Sequence, residues 1–232
     1  MENKNAFTAV LIGSGGGIGS ALKKQLINSK SYARVICYSK NNDIKLDITN
    51  ENEISKAAND LKQKGLKIDL LINTIGYLHE KDFFPEKKIS EINSNYLLKS
   101  FKTNTIGHAL VIKYFSPLMN DKNNSVLACL SARVGSISDN YLGGWFGYRA
   151  SKAALNQIVK SSSIEFSRKK SNLILIAIHP GTVLTELSKP FIKSKNYFSA
   201  LESATYILNV IANLKIEDSG NFMDYQGKII PY

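Results

Sequence analysis

The chain has 232 residues, 44% of them hydrophobic, and a formal charge of +11. That length and apolar content fit one α/β domain over 1–232 with a full core, and exclude a disordered chain. The charge points toward nucleic acid, but the arginines are only Arg34, Arg133, Arg149 and Arg168, and no basic run is interleaved with aromatics. A lysine-coated soluble surface with no nucleic-acid partner is therefore expected.

Cys37 and Cys129 sit in apolar runs and read as small buried residues, not as a disulfide. No metal-type spacing links them with His79, His108 and His179, so no metal is expected. The start, Met1 to Phe7, does not read as a leader, and no apolar run reaches transmembrane length. The expectation is a cytoplasmic protein with no membrane partner.

Ala6–Ile12 reads as a strand and Ile18–Asn28 as a helix, followed by strands at Arg34–Ser39 and Ile44–Leu46. Asn50–Gly65 is helical, with Asn50 as cap and Gly65 as stop. Ile68–Asn73 is a strand. Ile89–Met119 carries long helical periodicity broken near Ser100–Lys102. Val126–Leu130 is a strand, Trp145–Lys169 a helix, Leu173–His179 a strand, Ser199–Leu214 a helix and Asn221–Tyr225 a last short strand. This alternation predicts a parallel sheet covered by helices on both faces. Such sheets bind ligands at the carboxyl ends of their strands.

The first strand runs into Gly13-Ser14-Gly15-Gly16-Gly17-Ile18-Gly19. Glycines at this density make a tight turn and let a pyrophosphate approach the amides of the next helix N-terminus. Gly13, Ser14, Gly17, Ile18 and Gly19 are the expected contacts. The second strand ends at Ser39-Lys40 with no carboxylate before Asp43. A carboxylate there would suit NAD, whereas a hydroxyl and an ammonium suit the 2′-phosphate of NADP(H). Asp47 ends the third strand and can accept from the adenine amino group, with Ile48 beside it as a further contact. The fourth strand ends in Asn73-Thr74-Ile75-Gly76, where Gly76 allows close backbone approach to a ribose and Asn73 is a further expected contact. The fifth strand ends at Ser131, and the sixth at His179-Pro180-Gly181-Thr182-Val183-Leu184-Thr185, whose Pro180, Gly181, Val183 and Thr185 can meet an amide.

Tyr148 and Lys152 lie one helical turn apart, on one face of the helix. A lysine ammonium beside a phenol favours the phenolate and would draw the tyrosine toward neutral titration.

Together these motifs resemble the short-chain dehydrogenase/reductase family. The glycine turn, Asp47, Asn73-Thr74-Ile75-Gly76, Asn104-Thr105-Ile106-Gly107, Ser131, Tyr148 with Lys152, and Pro180-Gly181 stand in family order. The runs Ser131–Asn140, Leu142–Trp145, Tyr148–Asn156, Leu187–Phe191 and Asp224–Lys228 are similar to C-factor-type members. Thr74 and Ile75 depart from the usual Asn-Asn-Ala-Gly turn, and the stretch from Ser131 to Tyr148 is longer than is common, which suggests a loop over the site. The resemblance implies a Rossmann-like, doubly wound sheet of about seven strands in three α/β/α layers. It implies reversible hydride transfer between nicotinamide and a carbonyl or alcohol. Tyr148 would be the acid and Ser131 would hold the substrate oxygen. Lys152 would bind the ribose, and Asn104 would anchor a water relaying protons through Lys152. Residues 187–198 would form a lid. Phe191, Tyr197 and Phe198, with Tyr77, Leu78, His79, Trp145 and Phe146, would line an apolar pocket for a small or medium carbonyl compound. A homodimer or homotetramer is implied as well.

Two other readings stand beside this one. A C-factor-like signalling or binding protein would keep the fold and nucleotide site, and a panel of carbonyl compounds separates it from an enzyme. A methyltransferase has no need of Tyr148 and Lys152, and an epimerase usually carries a larger substrate domain.

Overall fold

The computed structural model describes residues 7–232 except 42, 82, 170 and 193–195. Seven parallel strands form one sheet in the order β3-β2-β1-β4-β5-β6-β7. They are β1 (Thr8–Ile12), β2 (Arg34–Ser39), β3 (Ile44–Lys45), β4 (Leu70–Asn73), β5 (Ser125–Leu130), β6 (Leu173–His179) and β7 (Phe222–Asp224). The connecting helices are α1 (Gly17–Asn28), α2 (Glu51–Gln63), α3 (Ser94–Phe101), α4 (Gly107–Phe115), α5 (Phe146–Arg168) and α6 (Ala200–Ala212). The doubly wound Rossmann-like sheet is thus the observed fold.

The two sheet faces explain the continuous apolar runs. In β1, Val10 and Ile12 point into one core with residues of α2, α4 and α5, while Ala9 and Leu11 join α1 and α6 on the other face. Side chains alternate across a strand, so a strand covered on both sides is apolar at every position. Strand order reverses between β1 and β4, and this opens a crevice at their carboxyl ends.

Several boundaries differ from expectation. Ala6, expected to begin β1, and residues 1–5 lie outside the described residues. Asn50 caps α2 as expected, its side chain accepting from Asn52 N. The periodicity over 89–119 resolves into a short 3-10 turn at Ile89–Glu91, then α3, a wide π-type turn at Lys102–Ile106, and α4. Asn93, not Ile89, starts α3, because its side chain caps Asn95 N and Tyr96 N. Both cysteines are buried and free. No helix among the described residues is long and apolar enough to cross a membrane.

Candidate active site

Parallel register brings the strand ends level. Ile12 pairs with Asn73, Asn73 with Cys129, Leu130 with Ile178, and His179 with Asp224. Each following loop therefore opens onto the same edge of the sheet.

The glycine turn closes tightly. Gly13 adopts φ +91, and a Cβ on Gly19 would lie 2.1 Å from Gly13 O, so neither position admits a side chain. The turn faces a groove of about 990 Å³. Of the expected cofactor contacts, Gly13, Gly17, Ile18, Gly19, Ser39, Lys40, Asp47, Ile48, Gly76 and Thr185 all line it. Its length along the strand ends and its side-chain-free floor fit a dinucleotide.

Other expected contacts do not reach that groove. Ser14 is buried, its N–H and hydroxyl both donate to Tyr38 O, and the hydroxyl also reaches Asp43 Oδ2 at 2.5 Å. It holds the turn against β2 and is not free for a phosphate. Asn73 is fully buried, and its Oδ1 accepts from Ile75 N at 3.2 Å, so it shapes the turn beneath Gly76. Pro180, Gly181 and Val183 line a second cavity instead. Lys40 and Asp47, assigned to opposite ends of an adenosine, pair with each other at 2.8 Å. Asp47 titrates below the ordinary carboxylate range: its hydrogen bonds from Lys40 and Thr49 outweigh the opposing, and individually largest, effect of burial. Asp43, outside the expected set, pairs with Lys23 of α1.

The second cavity, about 570 Å³, shares Ile18, Thr185 and Leu187 with the groove and so continues it. Ser131 and Tyr148 lie on its wall with apolar Leu78, Trp145 and Phe191. Tyr141 and Leu142 line its mouth, so the long Ser131-to-Tyr148 stretch does cover the site. Not all expected pocket aromatics take part. Tyr77 and His79 lie on the groove side, and Phe146 lines neither space. Phe198 packs against Tyr206 and Tyr225 at 5.2 and 4.8 Å, away from the cavity. Tyr197 also lines neither space, and residues 193–195 of the expected lid lie outside the described residues.

Tyr148, Lys152 and Asn156 follow one another at single-turn steps on α5, and all three are buried. The Lys152 ammonium donates to Leu130 O at 3.0 Å. Burial lowers its pKa to about 8. The Tyr148 phenol is shifted the opposite way to expectation. Burial pushes its pKa up, and the nearby Tyr96 adds to the rise. Desolvation disfavours the charged form of a buried phenol, and at this depth it sets the direction.

Ser131 Oγ donates to Asn156 Oδ1 at 2.7 Å, and Asn156 Nδ2 donates to Gly135 O at 3.4 Å. Asn156 thus orients the Ser131 hydroxyl. It was not among the expected site residues, yet its place one turn past Lys152 was a visible signal. Asn104 sits in the π-type turn with its amide in use: Oδ1 accepts from Tyr77 N, while Nδ2 donates to Tyr77 O and Ser151 Oγ. A Cβ on Gly76 would lie 3.9 Å from both Asn104 Oδ1 and Lys152 Nζ, so these two groups face one point. One Oδ1 lone pair and two lysine donors remain for other partners.

His108 is fully buried beside Lys152, and His179, half-buried, lines the cavity. His108 meets Ile75 O at 2.9 Å, and burial, followed by the Lys152 charge, brings its pKa to about 3. His179 falls to about 4 through burial and the Arg133 charge, partly offset by Asp224. An imidazole whose folded value is lowered stays neutral while the unfolded chain takes up its proton, so stability falls as pH drops below the ordinary 6.5. His108→Gln is expected to flatten this acid loss by about 1.4 kcal/mol per pH unit between pH 6 and 4. Denaturant titrations across that range check it; an unchanged slope would show that His108 protonates freely in the folded protein.

Comparisons with known proteins agree with this geometry. A family model described as Enoyl-(Acyl carrier protein) reductase matches residues 24–223. The chain belongs to the short-chain dehydrogenase/reductase family. It is an NAD(P)-dependent oxidoreductase acting at a carbonyl or alcohol carbon. A 1-hydroxy-2-glutathionyl-2-methyl-3-butene dehydrogenase of a Rhodococcus species is 25% identical, the match covering 97% of this chain and 99% of that one. The C-signal of Myxococcus xanthus is 31% identical over 62% of this chain and 83% of its own. An NADPH-bound carbonyl reductase from chicken fatty liver superposes with a TM-score of 0.87 at 24% identity, covering 98% of this chain and 95% of that one.

Proposed function

We propose that the chain is an NADP(H)-preferring carbonyl reductase for small or medium substrates with an apolar body, formed by one domain. The observation carrying this reading is that Ser131 and Tyr148 stand on an apolar cavity opening into the dinucleotide-shaped groove. The nicotinamide, when bound, supplies or accepts the hydride.

The chain's own residues handle the proton. Tyr148, kept protonated by burial, donates to the developing alkoxide and recovers the proton in reverse. Ser131 holds the substrate oxygen, accepting from an alcohol while its proton rests on Asn156, and donating to a carbonyl once it rotates away. Lys152 offers its two remaining donors to ribose hydroxyls, and a proton lost from a lysine titrating near 8 can replace the one leaving Tyr148. Asn104, facing the same point as Lys152, orients a proton-relaying water. Trp145, Leu78 and Phe191 exclude bulk water from the reacting carbon.

NADP(H) is favoured over NAD(H) by Ser39 and Lys40 at the end of β2, where no carboxylate lines the groove before Asp47. Lys40→Ala is expected to raise the KM for NADPH about tenfold or more, because a charged hydrogen bond to phosphate is lost. The KM for NADH should barely change. Initial rates with each nucleotide and a panel of aldehydes, ketones and quinones decide this, and equal losses would remove Lys40 from that role.

A homodimer or homotetramer fits the exposed apolar Leu98, Ile106 and Ile164 on α3, the π-type turn and α5. A cytoplasmic setting fits the two free buried thiols. A signalling role like that of the C-signal relative is the second reading. Nucleotide binding without reduction of any compound in the panel would favour it.

A further inference from the structure

Glu86 is a buried carboxyl, 3% exposed, with no part in the roles above. No ion pair among the described residues includes it. It lies between β4 and α3, distant in sequence from α5. Yet its Oε2 and Oε1 accept from Gly147 N at 3.1 and 3.3 Å, and its backbone carbonyl accepts from Trp145 N. A Cβ on Gly147 would lie 3.1 Å from Glu86 Oε1 and 2.9 Å from Tyr96 Cε1, so carboxyl and helix touch directly.

The start of α5 lacks what Glu86 provides. It has no acidic residue in its first turn, and Trp145 gives no side-chain cap. The first N–H groups of a helix have no partner within it, and negative charge is favoured there. Gly143, Gly144 and Trp145 just before it adopt φ +63, +64 and +53. A tryptophan in the left-handed region is sterically disfavoured and persists only where its surroundings over-determine it. Here the Glu86 carbonyl holds Trp145 N, and Arg149 Nε holds Gly144 O at 3.0 Å. The Trp145 ring then meets Tyr148 edge-on at 6.1 Å and Phe191 at 5.1 Å.

We propose that Glu86 is a positioning residue that caps α5 from a distant loop and thereby fixes the Tyr148 phenol and the Trp145 indole against the substrate cavity. This rests on the reading of Tyr148 as the acid, so the test includes a readout that needs no turnover. Trp145 is the chain's only tryptophan, and its emission reports its own burial.

Glu86→Ala is expected to lower kcat about 10²-fold, the scale of an ångström-sized misplacement of a reacting group. The KM for NADPH should stay near wild type, and Trp145 emission should move to longer wavelength. Glu86→Gln keeps an acceptor of the same reach and should restore both kcat and emission. If Glu86→Ala does not fold, Glu86→Asp, one methylene short, takes its place with the same expectation. Wild-type kcat and emission in the shortened variant would overturn the proposal, as would a Glu86→Gln variant as impaired as Glu86→Ala. If the wild-type protein reduces no carbonyl compound, the functional reading fails, while the emission comparison still decides whether Glu86 holds the Trp145 turn.

Discussion

Tyr148→Phe is expected to lower kcat by about 10²- to 10⁴-fold, the range supplied by a positioned acid. The substitution removes one oxygen and keeps the ring that packs on Trp145. Thermal stability should therefore stay near wild type, and nucleotide binding, followed by the fluorescence of the reduced cofactor, should be little changed. Tyr148 titrates well above its usual range because it is buried, so in the reductive direction the phenol is present in its donating form at neutral pH. A variant that keeps most of the rate would show that the proton comes from elsewhere, and Lys152 would be the next group to examine.

Lys152→Met is expected to divide stability from activity. The ammonium is 2% exposed, has one hydrogen bond, to Leu130 O, and titrates near 8 instead of 10.5. A lysine whose folded value is lowered binds its proton more weakly in the folded chain than in the unfolded one. Its charge therefore costs stability in full below pH 8, less between 8 and 10.5, and nothing above. The cost is on the order of 3 kcal/mol. Methionine fills similar space without the charge and leaves the Leu130 carbonyl unpaired, which offsets part of the gain. The Tm at pH 7 should rise by a few degrees, with the gain fading as pH approaches 10.5, while kcat collapses. A variant no more stable than wild type at pH 7 would mean that the ammonium is better solvated than its burial implies. Buried functional charges of this kind are a recognised source of stability–activity conflict.

The strand ends were legible because they depend on local chemistry. Glycine density, a terminal serine and a Pro-Gly turn each carry their reason within a few residues, and the sheet order placed them on one edge. The break before Asn104 was legible for the same reason. What was missed depends on contacts between segments far apart in the chain. Nothing near Ser14 shows that Asp43 will fold back to occupy its hydroxyl. Nothing near Gly147 announces a cap from Glu86. The direction of the Tyr148 shift was misjudged because spacing reveals a neighbouring charge but not the depth of burial that opposes it. Asn156 is the intermediate case. Its step from Lys152 was visible, but its bond to Ser131 needs α5 laid against the end of β5.

The π-type turn at Lys102–Ile106 lets the α3–α4 rod carry one residue more than a regular coil would hold between the same two ends. The wider turn absorbs that surplus, and Val111, Ile112 and Phe115 beyond it still reach the interior. Excising one residue here would regularise the coil and leave α4 close to its present rotational phase. What would be lost is the bulge itself, which sets the Asn104 amide against Tyr77 and Ser151. The irregularity thus serves the proton path and not the packing, so a shortened rod should fold yet work poorly.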